Sequence, residues 1–149
     1  MTEIRFYHLT RSTLEGALPQ MLAKTLARGQ RAVVLAGSEE RVEALTAHLW
    51  TFAERSFLPH GSPRDGHGED QPVWLSEADE RPNGAQVLFL TDRAHSEKIG
   101  EYELCAVLFD GKDPDALAAS RDQWRAFKDA GHEVTYWQQD EAGKWEKKA

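Results

Sequence analysis

The chain has 149 residues, 40% apolar and 29% charged, with a formal net charge of −7 at neutral pH. That is the size and composition of one ordinary globular domain with enough core to fold unaided, not of a disordered segment. The acidic balance argues against broad, non-specific binding of duplex DNA, which needs an extended basic surface.

A local basic pocket stays compatible with that balance, because charges beyond a Debye length of about 8–10 Å are largely screened. A short acidic peptide is the partner that fits it best. The longest apolar runs, residues 32–36 and 87–90, fall far below the ~20 residues needed to span a bilayer. Met1 leads almost directly into a strand-like segment without a basic and apolar leader, so a cytoplasmic location is expected. The single cysteine, Cys105, rules out an intramolecular disulfide framework and a cysteine-based zinc site. It stands in an apolar strand pattern and reads as a buried, inert thiol.

In chain order, residues 4–9 read as a first strand. Ser12-Thr13-Leu14-Glu15 fits a capping box in which Ser12 and Glu15 satisfy backbone donors reciprocally. A helix then runs to about Arg28 and is ended by Gly29; Pro19 within it predicts a kink or a later start. Residues 31–36 form a continuous apolar strand. Gly37-Ser38 leads into a second helix with Val42, Leu45, Leu49 and Trp50 at helical spacing. Phe57-Leu58-Pro59-His60 is a short extended piece, and the Gly-, Pro-, Asp- and His-rich residues 61–71 read as a mobile loop. Further strands fall at 73–75, 87–90 and 104–109, the last ending at Asp110-Gly111. A helix occupies 113–131, followed by a final strand at 132–138 and a polar tail. Strands apolar on both faces that alternate with helices predict a three-layer α/β/α domain, 1–149, around a mainly parallel sheet of Rossmann-like topology.

The helix at 113–131 is the most informative segment. Asp113 can cap its first turn, Pro114 suits the first helical position, and Gly131 can close it in the left-handed conformation. At about 100° per residue, Ala116, Ala119, Gln123, Ala126, Phe127 and Ala130 share the side expected to lie on the sheet. Arg121, Trp124, Arg125 and Lys128 share the other, at i, i+3, i+4 and i+7. Three cations around an indole suit a ligand that is both anionic and apolar. A solvated basic face is the plain alternative, and Trp124 fits either a binding hot spot or a rim residue half buried against the sheet.

Other chemistry is sparse. There is no G-x-x-x-x-G-K-S/T loop, no G-x-G-x-x-G after the first strand and no G-x-S-x-G elbow, so the expected fold carries no nucleotide-binding loop. His60, Asp65, His67 and Glu69 can be drawn as a metal cluster but lack fixed spacing. Asp110, at the carboxyl end of a strand, stands where such folds hold catalytic groups and equally where a turn into the next helix needs a cap. Trp50, Phe52 and Phe57 form a second aromatic concentration, read either as core or as an apolar docking patch. These readings identify no active site, no metal and no cofactor.

The Phe6-Tyr7 strand, the run Arg31-Ala32-Val33-Val34-Leu35-Ala36, the segment Ser56-Phe57-Leu58-Pro59-His60 after Leu49-Trp50, and Arg121-x-x-Trp124-Arg125-x-Phe127-Lys128-x-Ala130-Gly131 together resemble the chi subunit of bacterial DNA polymerase III over essentially the whole chain. The resemblance implies a non-catalytic accessory protein of the replicase clamp-loader assembly. It implies that Arg121, Trp124, Arg125 and Lys128 hold the acidic C-terminal tail of single-stranded-DNA-binding protein. Trp50 and Phe57 match the region associated with the psi subunit or another clamp-loader subunit. Any contact with DNA would then be indirect. Leu117, where some relatives carry another basic residue, implies a weaker electrostatic component here. The alternative from the residues alone is an enzyme that holds a nucleotide or phosphorylated metabolite at the carboxyl ends of the strands, through Asp110 and Lys112.

Overall fold

The computed structural model describes residues 2–10, 13–51 and 60–149, except the side chains of residues 50 and 51. Its strands form one seven-stranded sheet in the order β3-β2-β4-β5-β1-β6-β7. They are β1 (Glu3–Leu9), β2 (Ala32–Leu35), β3 (Val73–Ser76), β4 (Val87–Leu90), β5 (Leu104–Asp110), β6 (Glu133–Gln139) and β7 (Trp145–Lys147). All pairings are parallel except that of β6 with β7. Three helices, α1 (Leu14–Ala27), α2 (Glu39–Thr51) and α3 (Pro114–Asp129), complete the layers. The α/β/α architecture with a mainly parallel sheet is as the strand and helix pattern predicts.

Strand alternation sorts the core into two faces. Val34, Val73, Leu75, Phe89, Ala106 and Leu108 pack against Leu18 and Leu22 of α1 and Val42, Leu45 and Leu49 of α2. Ile4, Phe6, Val33, Leu88, Cys105, Val107 and Phe109 pack on the other face against Ala116 and Phe127 of α3. Cys105 is fully buried, and burial raises its thiol pKa far above the ordinary range, which fits an inert thiol.

Three local readings change. The N-cap of α1 is Thr13, whose hydroxyl accepts from the Gly16 amide at 3.2 Å. Glu15 pairs instead with Arg41 of α2; Ser12 lies outside the described residues. Residues 61–71 carry their own bonding: the Asp65 carboxylate accepts from the Ser62 amide at 3.0 Å and hydroxyl at 3.2 Å, and a short 3₁₀ turn follows at Gly68–Asp70. The polar tail forms a hairpin strand. Asp140 Oδ1 accepts from the amides of Ala142 and Lys144, Gly143 takes φ of +83°, and Trp145 packs edge-on against Tyr7 with centroids 5.0 Å apart.

Pro19 sits inside α1 without ending it. Its missing N–H leaves the Glu15 carbonyl without an i+4 donor, and His48 Nε2 of α2 lies 2.6 Å from that oxygen. The imidazole N–H fills the gap in the ladder and ties the two helices together. Removing a donor from a part-buried carbonyl costs about 1–3 kcal/mol. His48→Ala is therefore expected to destabilise the fold by that amount in urea unfolding, and by clearly less in a Pro19→Ala background, where residue 19 regains its own donor.

Candidate functional site: the outer face of the third helix

Asp113 caps α3 by accepting from the Asp115 amide at 3.0 Å, and Pro114 occupies the first turn. The helix is turned on its axis relative to the face read from the sequence. Ala116, Ser120 and Phe127 are buried, Leu117, Ala119, Gln123 and Trp124 are half buried, and Ala126 and Ala130 are exposed. Leu117 and Trp124 withdraw far more apolar surface from water than two alanine methyls, so they win the sheet side. Ser120 is tolerated there because its hydroxyl donates to the Leu117 carbonyl at 2.8 Å.

Trp124 thus becomes both wall and rim. Its ring stands edge-on to Phe6, with centroids 5.5 Å apart, and to Tyr136, at 6.3 Å. The Lys128 ammonium lies over the indole, 5.0 Å from its centroid, a cation–π contact that holds a charge beside an apolar wall. Arg121, Arg125 and Lys128 are all exposed, and none makes an ion pair among the described residues. Their charge is available to a ligand. The four residues singled out by helical spacing share the outer side of α3, with Trp124 half buried, Lys128 over its ring, and Arg121 and Arg125 exposed.

The sequence reading missed Tyr136 and His8. Tyr136 of β6 packs beside Trp124, and its hydroxyl meets His8 Nδ1. The signal was present in the alternation of β6, which puts Val134 and Tyr136 on the α3 side with Ile4 and Phe6. Burial raises the Tyr136 pKa, opposed by the nearby Arg121 charge. Burial also lowers that of His8, opposed by the Gly111 backbone and the Asp110 carboxylate. Both shifts favour the neutral forms of the pair. An added Cβ at Gly111 would run into the His8 ring, so this glycine permits the close approach where β5 turns into α3.

Asp110 serves that turn, its Oδ1 accepting from the Lys112 amide at 2.9 Å. It also borders a cleft of about 480 Å³ at the carboxyl ends of the parallel strands, with Glu15, Arg41, Asp92, Arg93 and Lys112. The Arg41 guanidinium there is committed to Asp92 at 3.1 Å and Glu15 at 3.3 Å. Hydrogen bonding to Asp92 raises its already high pKa. His60 is buried with Nε2 3.1 Å from the Thr46 carbonyl, while Asp65 serves Ser62. No group of three or more metal-ligating side chains forms among the described residues. The Trp50 side chain, Phe52 and Phe57, read as core or docking patch, lie outside the described residues.

The geometry defines a three-layer α/β protein with a cationic, aromatic helix face. Residues 1–135 match the family model described as DNA polymerase III chi subunit, HolC. The chain belongs to that family of replicative polymerase subunits. It is 29% identical over 105 residues to a protein of Rickettsia prowazekii (strain Madrid E) named probable DNA polymerase III subunit chi. The match covers 68% of this chain and 64% of the relative's length. No helix among the described residues is long and apolar enough to cross a membrane.

A folded-state pKa of His8 below its ordinary value of roughly 6.5 has a definite sign. The stability it confers is present above that ordinary value and is lost as pH falls through the lowered one. NMR titration should place the His8 midpoint below roughly 6.5, and the wild-type protein should lose more unfolding free energy than His8→Gln between about pH 7 and 5.

Proposed function

We propose that the protein is a non-catalytic adaptor of the replicase clamp-loader assembly. In this reading the face of Arg121, Trp124, Arg125 and Lys128 binds the acidic C-terminal tail of single-stranded-DNA-binding protein. The observation that carries the reading is a half-buried indole with Lys128 over its ring and Arg121 and Arg125 exposed on the same helix face, none of the three cations ion-paired among the described residues. Family membership and the match of these positions to the tail-binding helix support it.

A tail of aspartates ending in an apolar residue and a free α-carboxylate needs a cation at the carboxylate, an apolar wall and further positive charge. A guanidinium engages a carboxylate through two parallel hydrogen bonds, and Trp124 with Leu117 and Tyr136 supplies the wall. One or two charge-assisted hydrogen bonds contribute roughly 1.5–3 kcal/mol each. After the cost of ordering the peptide, this corresponds to micromolar affinity, about −8 kcal/mol. That strength suits a contact exchanged during replication. Attachment to the clamp loader through a psi or equivalent subunit belongs to the Trp50 and Phe57 region.

Titration of a labelled acidic C-terminal peptide should give saturable micromolar binding that weakens as salt rises. Arg125→Ala or Trp124→Ala should cost at least about tenfold, roughly 1.4 kcal/mol. Absence of binding at low salt, or indifference to both substitutions, rejects the assignment.

The cleft beside Asp110 favours a second reading, an enzyme that holds a nucleotide or phosphorylated metabolite near Arg93 and Lys112. Its inner cation, Arg41, is already matched by two carboxylates, which weighs against an anionic ligand there. A thermal shift with nucleotides and divalent metals but none with the tail peptide would favour this reading over the adaptor.

A further inference from the structure

A second basic and aromatic surface lies on the sheet face opposite α3. Leu9 is buried in the α1–α2 cluster and Tyr7 and Trp145 pack at its edge; beyond them no helix among the described residues covers β6 and β7 on that side, and a groove of about 590 Å³ runs between α1 and the β6–β7 hairpin. In its floor and hairpin wall, strand register puts Arg5, Tyr7, Trp137 and Trp145 on one face. Tyr7 lies nearly parallel to Trp137, with centroids 6.3 Å apart and 29° between planes, and meets Trp145 edge-on. All three rings are half exposed. The Arg5 guanidinium lies 5.3 Å from the Trp137 centroid. The other wall is a ridge of Gln20, Lys24 and Arg28, four residues apart on α1, and Lys144 stands at the hairpin end.

Arg5 is partly neutralised by Glu3 at 3.0 Å. Lys24, Arg28 and Lys144 are exposed and make no ion pair among the described residues. The carboxyl end of α1 favours cations on its own account, which explains Lys24 and Arg28. It explains neither Lys144 nor the three aromatic rings facing the same groove. In a chain of net charge −7, unpaired cations on both walls of a ring-lined groove complement a ligand that repeats negative charge and flat apolar groups along its length.

We propose that this groove binds single-stranded nucleic acid, with phosphates at Lys24, Arg28 and Lys144 and bases against Trp137 and Trp145. Stacked aromatic faces on a sheet flanked by cations are the general means of holding single strands without reading sequence. An acidic peptide needs a cation and one apolar slot, which α3 already offers, and would leave most of the ring surface unused. Trp137, Lys144 and Trp145 lie beyond residue 135, outside the stretch matched by the family model. The inference does not rest on the tail-binding reading.

The test is fluorescence anisotropy with a labelled oligothymidylate of about a dozen nucleotides, within the ~4–16 that single-strand sites occupy. A duplex of equal length and the acidic tail peptide serve as separate ligands. Saturable binding of the single strand at low salt is expected. The slope of log affinity against log salt should lie near −2, from three cations at about −0.7 per phosphate neutralised. Lys24→Glu with Arg28→Glu, both on the exposed surface of α1, should weaken binding at least tenfold without loss of fold, and Trp145→Ala should weaken it severalfold. Arg125→Ala should leave it unchanged, which separates this site from the α3 face. The proposal is overturned by no binding at low salt, by equal affinity for duplex, by indifference to the α1 double substitution, or by peptide binding that depends on the groove when the oligonucleotide does not bind.

Discussion

Among the described residues three α-helices cover both faces of a seven-stranded sheet, and that shortfall organises them. Burial of apolar strand faces is the main favourable term in folding, so the helices go where the strands are most apolar. α1 and α2 close over β2, β4 and β5, whose residues from Ala32 to Leu35, Val87 to Leu90 and Cys105 to Phe109 are buried; α3 crosses β5, β1 and β6 on the other side. The turn before β4 and a 3₁₀ turn at Ile99–Glu101 add to the second face, through Ala85, Ile99 and Tyr102. Among the described residues the margin around β6 and β7 remains open, and amphipathic aromatic residues gather there.

Tryptophan and tyrosine suit such a margin because each presents a large apolar body and a polar handle. Trp137 donates its indole N–H to the Thr135 hydroxyl at 2.9 Å, and the Tyr136 hydroxyl meets His8. Successive residues of a strand point to opposite faces. Thr135 and Trp137 therefore share the groove side of β6, while Tyr136 between them faces α3. One strand furnishes aromatic surface to both faces of the sheet.

Much of the fold was legible because its signals are local and strong. Continuous apolar runs at 32–36, 87–90 and 104–109 fit best in a sheet covered on both faces. Asp113-Pro114 marks the start of α3 by the same chemistry that caps it in the structure. The rotation of α3 was less legible, because helical spacing sorts residues into sides without saying which side the sheet takes. Alanines at 126 and 130 look like a packing face, yet Leu117 and Trp124 offer more area to bury. The hairpin strand β7 was missed because its register depends on Asp140 and Gly143 making the turn and on Trp145 reaching Tyr7, a contact between opposite ends of the chain. His48 carries no signal in the sequence, because the carbonyl it satisfies is left without its helical donor by a proline in another helix.

The cationic residues of α3 gain meaning from what they do not do. Three arginines elsewhere are engaged internally, Arg41 by Asp92 and Glu15, Arg5 by Glu3 and Arg64 by Glu43, whereas Arg28, like the cations of α3, has no carboxylate partner among the described residues. In a chain with 25 acidic residues against 18 basic ones, carboxylate partners are plentiful, so a cation left without one reflects placement rather than scarcity. Asp122 and Asp129 stand on the same helix as Arg121, Arg125 and Lys128, yet no ion pair forms between the two sets. An exposed surface pair would have contributed little to stability in any case, about 0–1 kcal/mol. Leaving these charges unpaired therefore costs the fold almost nothing, while a ligand that brings its own carboxylates to the rim of Trp124 meets positive charge with no partner to displace among the described residues.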